Sequence, residues 1–169
     1  MVFFLSSERL KADLLNSNVS DEYIKSAVII SQQDLMEMIG DSLYNKLAEM
    51  VTDGTIEDTP YQELLDSFVV PYLEFKAMSE LCFITSYKVG NIGLYQNYDN
   101  NANSNELSTV RYVQKHWEDK AEYYRNRLIK FLNRNLDLYP EFKCNCENLS
   151  GPSDNKVVNT GIWLGGTRH

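Results

Sequence analysis

The chain has 169 residues, of which 43% are hydrophobic and 24% charged, a composition that is typical of a folded protein with one core and excludes a disordered chain. Its formal net charge of −8 argues against nucleic-acid binding, because such binding requires clustered Lys and Arg. No apolar run approaches the ~20 residues that cross a bilayer, and the opening residues 1–5 lack the basic flank and cleavage site of a signal peptide, so we expect synthesis in a cytoplasm.

The first part of the chain predicts three helices. Residues 6–15 form a short amphipathic stretch, and a second helix is expected to start after Ser20, a good N-cap residue, and to stop at Gly40. The third helix closes at Asp53–Gly54. The apolar stripe of the second helix has helical spacing and consists of Ile24, Val28, Ser31, Leu35 and Met38.

A longer central helix follows. Thr59 is a capping residue, Pro60 suits the first helical position, and Gln62 suits the third, so together they predict a helix start. We expect this helix to continue to about Gly90 and to be kinked or split by Pro71. Its apolar stripe is Tyr61, Leu65, Phe68, Tyr72, Phe75, Ser79 and Cys82.

Residues 90–107 are rich in Asn and Gly, and this stretch is longer than packing requires. Asp99 and Glu106 are its only acids and they lack EF-hand spacing, so calcium is not expected. A solvated loop or an interface loop is the interpretation that remains.

A long amphipathic helix is predicted from about Ser108 to Leu138. Its spacing places Lys115 near Asp119, and Glu122 near Arg125. The cations of its final turns either complement the negative end of the helix or form a binding patch. These cations are Arg125, Arg127, Lys130 and Arg134. Its apolar seam is Val110, Val113, Trp117, Ala121, Tyr124, Leu128 and Phe131.

The fold class that follows is all-α. We expect a bundle of about five helices over residues 1–139, in which two long helices pair antiparallel, followed by an extended C-terminal arm over residues 140–169. No stretch shows convincing strand alternation, except a few residues around Val157–Val158.

The arm has no helical or alternating period, yet it ends in an apolar plug. Ile162, Trp163 and Leu164 stand between Gly161 and Gly165, and burial would stabilise them at ~25 cal/mol per Å² of apolar surface. The plug either folds back on its own domain or docks on another molecule. The last thirty residues carry three acids and three bases, so the whole excess of acid lies on residues 1–139.

The opposite end of the chain is apolar as well. Phe3, Phe4 and Leu5 either dock on a partner in the same manner or cover the end of the bundle.

The sequence offers no recognisable catalytic constellation. A di-iron site in a bundle needs Glu-x-x-His pairs, but Val113 stands three residues before His116 and Gly166 three before His169. Cys144 and Cys146 lack the paired spacing of zinc ligands. We therefore expect no enzymatic activity, no metal and no cofactor.

Several stretches resemble the head-to-tail connector (adaptor) proteins of tailed bacteriophages, with the nearest likeness to those of crAss-like and Bacteroides-infecting phages. The similarity spans most of residues 20–169 and excludes the first nineteen residues. It is carried by packing and turn patterns: Ile29–Leu35, Ile39–Leu47, Val70–Leu81, the Asn-rich loop, Trp117–Leu128 and Gly161–Gly165.

This resemblance implies a structural virion protein. The helical subunit would form a ring, expected to be a dodecamer, below the portal protein at the head–tail junction, and it would present a platform to the next neck or tail ring. DNA would pass through the channel without specific binding, since acidic walls repel phosphates. Gly161–Gly165 and Phe3–Leu5 are the interaction residues expected on this view.

A second hypothesis remains open. An acidic helical chain of this size could be a monomeric regulator or inhibitor that binds a basic host protein. It predicts an arm that packs on its own domain, and no ring.

Overall fold

The computed structural model describes residues 2–15, 19–90, 93–96 and 107–142. This part of the chain is a helical bundle, so the all-α prediction is confirmed. Its helices are α1 (Ser7–Asp13), α2 (Asp21–Ile39), α3 (Asp41–Asp53), α4 (Pro60–Leu64), a π-helix (Leu65–Val69), α5 (Val70–Ser86) and α6 (Leu107–Arg134), and its strands are β1 (Tyr87–Gly90) and β2 (Gly93–Gln96).

Helix α2 begins and ends where the sequence predicts, and α3 ends where it predicts. The hydroxyl of Ser20 accepts a hydrogen bond from the backbone N–H of Glu22, and so caps α2. Gly40 separates α2 from α3 with a φ of +81°, and Gly54 ends α3 in the left-handed region with a φ of +66°. Both positions suit glycine because a Cβ disfavours positive φ.

The start of the central helix differs from the prediction in one detail. Pro60 occupies the first turn of α4, as expected, but the Thr59 hydroxyl does not cap the helix. It donates instead to the carbonyl of Ile56 at 2.6 Å, while Gln62 accepts from the N–H of Asp58. Thr59 therefore closes the preceding turn.

Pro71 divides the central helix, as its sequence position predicts. Proline lacks an N–H and its ring crowds the carbonyl four residues earlier, here that of Ser67. The chain accommodates both effects with the π-helix, in which the N–H of Val70 bonds to the carbonyl of Leu65. Helix α4, the π-helix and α5 together form one of the two long arms of the bundle.

The expectation of no strands in the middle of the chain was wrong. Helix α5 ends at Ser86, four residues before Gly90, and β1 and β2 then pair antiparallel with Tyr87 opposite Gln96 and Val89 opposite Leu94. Tyr, Val and Leu suit a pleated strand, whereas a helical period does not extend through them. A hairpin thus replaces the first part of the predicted loop.

Aromatic rings show that the two long arms run antiparallel. Phe68 stacks on Phe131 with ring centroids 4.1 Å apart, and Phe75 stacks on Tyr124 at 5.2 Å. Phe75 also contacts Trp117, which lies nearer the start of α6, with ring centroids 5.9 Å apart. Residues later in the central helix contact residues earlier in α6, so the two run antiparallel. We call this aromatic contact the α5–α6 seam.

The packed part of the chain extends beyond residue 139. Helix α6 ends at Arg134 and not at Leu138. Tyr139 and Phe142 are nonetheless buried in the core, and the Tyr61 hydroxyl donates to Glu141 at 2.8 Å. The boundary between bundle and arm that the sequence suggested at residues 139–140 therefore falls inside the packed part.

The N-terminal segment packs on its own chain. Phe4 and Leu5 are 8% and 2% exposed, and the Phe4 ring meets the Tyr44 ring edge-on at 5.2 Å. Buried Gln32 accepts from the N–H of Phe4 and donates to the carbonyl of Val2. These contacts correspond to the second alternative for this segment, which covers the end of the bundle.

None of the described helices is both long enough and apolar enough to span a membrane.

Two grooves on opposite flanks of helix α6

A wide groove lies between α2, α5 and α6, and we call it the acidic groove. It encloses about 910 Å³ and is lined by five carboxylates and three cations. Helix α2 contributes Asp34, Glu37 and Met38; α5 contributes Tyr72 and Lys76; and α6 contributes Lys115, Glu118, Asp119, Ala121, Glu122 and Arg125.

Each cation of the acidic groove already has a carboxylate partner. Lys76 binds Asp34 at 3.0 Å and Glu80 at 2.9 Å, so it ties α2 to α5. The two pairs predicted within α6 are confirmed: Lys115 to Asp119 at 2.9 Å and Arg125 to Glu122 at 3.3 Å.

The buried floor of this groove perturbs two of its titratable groups. Burial would lower the pKa of Lys76, but its hydrogen bonds to Glu80 and Asp34 outweigh that effect and raise the pKa above the ordinary value. Burial, with a smaller contribution from the charge on Asp34, raises the pKa of Tyr72 to about 12. Both groups keep their protons through the neutral range.

Two carboxylates of the acidic groove have no cation partner among the described residues. Glu37 is exposed, and no ion pair of the described part engages it. Glu118 accepts a long hydrogen bond from the Ser79 hydroxyl, at 3.5 Å, and interacts only at longer range with Lys115, which is already paired with Asp119. The groove therefore presents unneutralised negative charge between two helices.

A second, smaller groove lies between the π-helix and α6, and we call it the basic–aromatic groove. It encloses about 380 Å³ and contains three cations and no carboxylate. Its lining residues are Phe68, Tyr123, Asn126, Arg127, Lys130, Phe131 and Arg134.

Aromatic contacts organise this second groove. The Arg127 guanidinium lies over the Phe68 ring at 5.1 Å from the centroid, which holds the side chain against the apolar floor. Tyr123 is 63% exposed and rests edge-on against Tyr124. Tyrosine and arginine, two of the residue types in this groove, are enriched at protein interfaces.

The sequence left two interpretations of the cations near the end of α6: they complement the negative helix end, or they form a binding patch. The position of the last residue of α6 distinguishes these interpretations. The field at a helix end acts only within the last turn. Arg134 is the only basic residue in the last turn of α6, whereas Lys130 and Arg127 lie about one and two turns earlier. Complementing the helix end therefore accounts for Arg134 but not for the other two.

No ion pair within the described part of the chain engages Arg127, Lys130 or Arg134, and all three are exposed. Arg125, which the sequence grouped with them, instead belongs to the acidic groove. The structure thus splits the predicted cluster of cations between two different surfaces.

The two grooves lie on different flanks of α6 and adjoin where Asn126 of the basic–aromatic groove donates to Glu122 of the acidic groove at 3.0 Å. Glu118 and Arg127 are nine residues apart, which is about two and a half helical turns, so they project in opposite directions. The basic–aromatic flank continues toward the start of α6 through His116 and Tyr112, the latter 78% exposed. One helix therefore separates two surfaces of unlike charge.

The structure tests the residues named from the sequence only in part. Gly161, Ile162, Trp163, Leu164 and Gly165 lie outside the described residues, as do Cys144, Cys146 and His169. Phe4 and Leu5 belong to the core of their own chain, and of that segment only Phe3 is exposed, at 41%. Docking of the N-terminal segment on a partner stays a prediction for Phe3 alone.

The described part of the chain holds no group of three or more residues that could bind a metal ion. Its one free cysteine, Cys82, is half-buried, and burial raises the pKa of its thiol. A protonated thiol is a poor nucleophile.

Sequence reasoning missed both grooves. The acidic and basic residues can be seen in the sequence, but which of them share a groove depends on which flank of α6 faces α2. The spacing Tyr112, His116, Tyr123, Arg127, Lys130 and Arg134 was the signal that could have identified the second flank, because it repeats at helical intervals opposite the apolar seam.

Comparison with known proteins gives one match. No curated protein and no solved structure shows significant similarity to the chain. Residues 35–151 match a protein family whose description is "Family of unknown function (DUF6712)", and this region includes the last turn of α2 and all later elements. Because the match extends over well more than half of the sequence, the chain belongs to that family.

Proposed function

We propose that this protein is a structural subunit of a tailed-phage virion, which forms a ring below the portal protein at the head–tail junction. The ring extends the DNA channel and offers a platform to the next neck or tail protein. The observation that carries the proposal is a resemblance to connector proteins in stretches that fall on the helices α2, α3, α5 and α6, which build the bundle. These stretches are Ile29–Leu35, Ile39–Leu47, Val70–Leu81 and Trp117–Leu128.

The surface charge supports this role. Residues 1–66 contain thirteen acidic and four basic residues. Such a surface repels DNA phosphates, so a channel lined by it lets a genome slide without sticking. The same acidity would also suit a monomeric regulator that binds a basic host protein, which is the competing proposal.

Assembly state discriminates the two proposals. Size-exclusion chromatography with light scattering is run on the purified chain alone and after mixing with the portal protein of the same phage. We expect a closed multimer in at least one condition. A chain that stays monomeric in both would contradict the ring and favour the regulator.

The role of the C-terminal arm is tested by truncation. The cut is placed after Phe142, because Glu141 and Phe142 contribute to the core. We expect the shortened chain to keep its helical circular-dichroism spectrum and to lose assembly, since Ile162, Trp163 and Leu164 would no longer reach a neighbour. Serine at these three positions in the full chain is the matched variant and should behave alike. Assembly by both variants would remove the arm from the proposal.

A further inference from the structure

We propose that α6 joins neighbouring copies head to tail, with the basic–aromatic groove of one copy seated on the acidic groove of the next. The occupant of each groove is thus a second copy of this chain. This inference deepens the proposed function and depends on it, because it names the contact that would close the ring.

The position of the two grooves determines the type of contact. A surface that binds its own counterpart gives a closed two-fold dimer, whereas two different surfaces on one subunit give rings or filaments. The grooves are different surfaces on two flanks of α6, on which Glu118 and Arg127 project in opposite directions. Each copy can therefore engage two neighbours at once through the same helix.

Charge complementarity favours this pairing. The acidic groove has its own cations neutralised and leaves Glu37 and Glu118 without a cation partner among the described residues. The basic–aromatic groove offers Arg127, Lys130 and Arg134, none of which is paired within the described part of the chain. The unpaired charges of the two grooves are opposite in sign.

Apolar contact adds to the charge. The exposed ring of Tyr123 stands on the rim of the basic–aromatic groove, and the acidic groove is open along α2 and α6, so its volume of about 910 Å³ can admit a tyrosine and the stems of the cations. Tyrosine and arginine are the residues that most often dominate binding energy at protein interfaces.

Nucleic acid is the other anionic occupant to weigh for the basic–aromatic groove. Three cations on a chain of net charge −8 give a weak electrostatic footprint, since phosphate binding grows with the number of clustered Lys and Arg. Glu122 also lies on α6 immediately beside Tyr123. The acidic groove of a neighbour suits these cations better.

The test uses two full-length variants, each with one groove inverted. Arg127→Glu with Lys130→Glu inverts the basic–aromatic groove, and Glu37→Lys with Glu118→Lys inverts the acidic groove. The control is Lys25→Glu with Lys46→Glu, because these lysines, the first exposed and the second partly exposed, lie outside both grooves and the change in net charge is the same as in the first variant. Circular dichroism establishes that all three are folded.

Assembly is measured by light scattering in the condition in which the wild-type chain assembles. We expect each inverted variant to be monomeric by itself and the control to assemble like the wild type. Mixed in equal amounts, the two inverted variants should assemble again with alternating copies, because one contact pairs the two native grooves and the next pairs the two inverted grooves, which are also opposite in charge. The quadruple variant, in which the charges of both grooves are exchanged, should recover assembly.

Cross-linking with a water-soluble carbodiimide identifies the contact directly. A mixture of unlabelled and ¹⁵N-labelled wild-type chains should give mixed-label peptides that join Lys130 to Glu37 or Glu118. Wild-type rings without such peptides, together with inverted variants that still assemble, would overturn the inference and leave the ring intact. A wild-type chain that is monomeric alone and with the portal protein would remove both proposals.

Discussion

Helix α6 takes part in two contacts of opposite character. In the α5–α6 seam, rings stack against rings and Leu128 and Leu132 are fully buried. In the acidic groove, the same helix faces α2 across open space, and the ion pairs that α6 forms there lie within the helix itself.

This difference shows which contact maintains the fold. Apolar burial gives most of the stability of a bundle, whereas exposed ion pairs contribute little. The seam therefore holds α6 in place, and the groove can remain polar because stability does not depend on it. A surface that stability does not constrain is available for binding a partner.

The largest expected effect comes from opening a cavity in the seam. Leu128→Ala should lower the free energy of unfolding by about 2–5 kcal/mol, because the site is fully buried and neighbouring helices collapse into it only in part. Urea unfolding followed by circular dichroism measures the change. Val113→Ala, on the exposed part of α6, is the control and should cost about 0.5 kcal/mol or less. Equal losses at the two sites would contradict the role assigned to the seam.

A buried polar contact should rank second. Gln32→Ala removes the acceptor for the N–H of Phe4 and the donor to the Tyr44 hydroxyl, and we expect a loss of about 1–3 kcal/mol because the buried Phe4 amide is left unpaired. The neighbouring Gln33 is exposed, so Gln33→Ala serves as the control. Both variants are compared in the same urea titration. A Gln32→Ala protein as stable as the Gln33→Ala protein would mean that the N-terminal segment is not held by this side chain.

The ion pairs of the acidic groove should matter less. Lys76→Met keeps the apolar stem and removes the bridge between Asp34 and Glu80, and the expected loss is about 1 kcal/mol or less. The difference from the wild type should shrink as salt rises, since screening already weakens these pairs. Unfolding titrations at low and high salt measure both effects. A loss as large as that of Leu128→Ala would reverse the ranking of seam and groove.

The smallest effect is confined to alkaline pH. Tyr72 has a pKa of about 12 in the folded chain and an ordinary value of 10.0, so the native state retains a proton that the unfolded state releases. The protonated Tyr72 hydroxyl contributes fully to the free energy of unfolding below pH 10, and this free energy falls as pH rises toward 12. Tyr72→Phe should make this fall less steep. Unfolding free energies at successive pH values check the slope, and an unchanged slope would contradict the assignment.

The sequence predicts elements that depend on local chemistry. Ser20 caps a helix with its own hydroxyl, and Gly40 and Gly54 end helices through the conformation of their own backbone. It also predicts the antiparallel seam, because Phe68, Phe75 and Phe131 fall on apolar stripes of helical period.

What the sequence does not reveal depends on contacts between distant residues. Strands β1 and β2 pair with Tyr87 opposite Gln96, and the sequence of a short apolar run does not indicate which strand it will pair with. The acidic groove unites Asp34 with Glu118, eighty-four positions apart, and requires knowing which flank of α6 faces α2. The sequence assigns Phe142 to the extended arm, because an isolated apolar residue gives no period, although this side chain is buried in the core.

The π-helix at Leu65–Val69 has a consequence for the geometry of the central arm. A π-turn holds one residue more than an α-turn, so it rotates everything before it by roughly 100° relative to an uninterrupted α-helix. This rotation lets Tyr61 meet Tyr139 while Phe75 still meets Trp117. Deleting one residue of the π-helix would restore a regular α-helix and turn Tyr61 away from Glu141. The extra residue therefore keeps both ends of the central helix aligned with α6 and with the residues that follow α6.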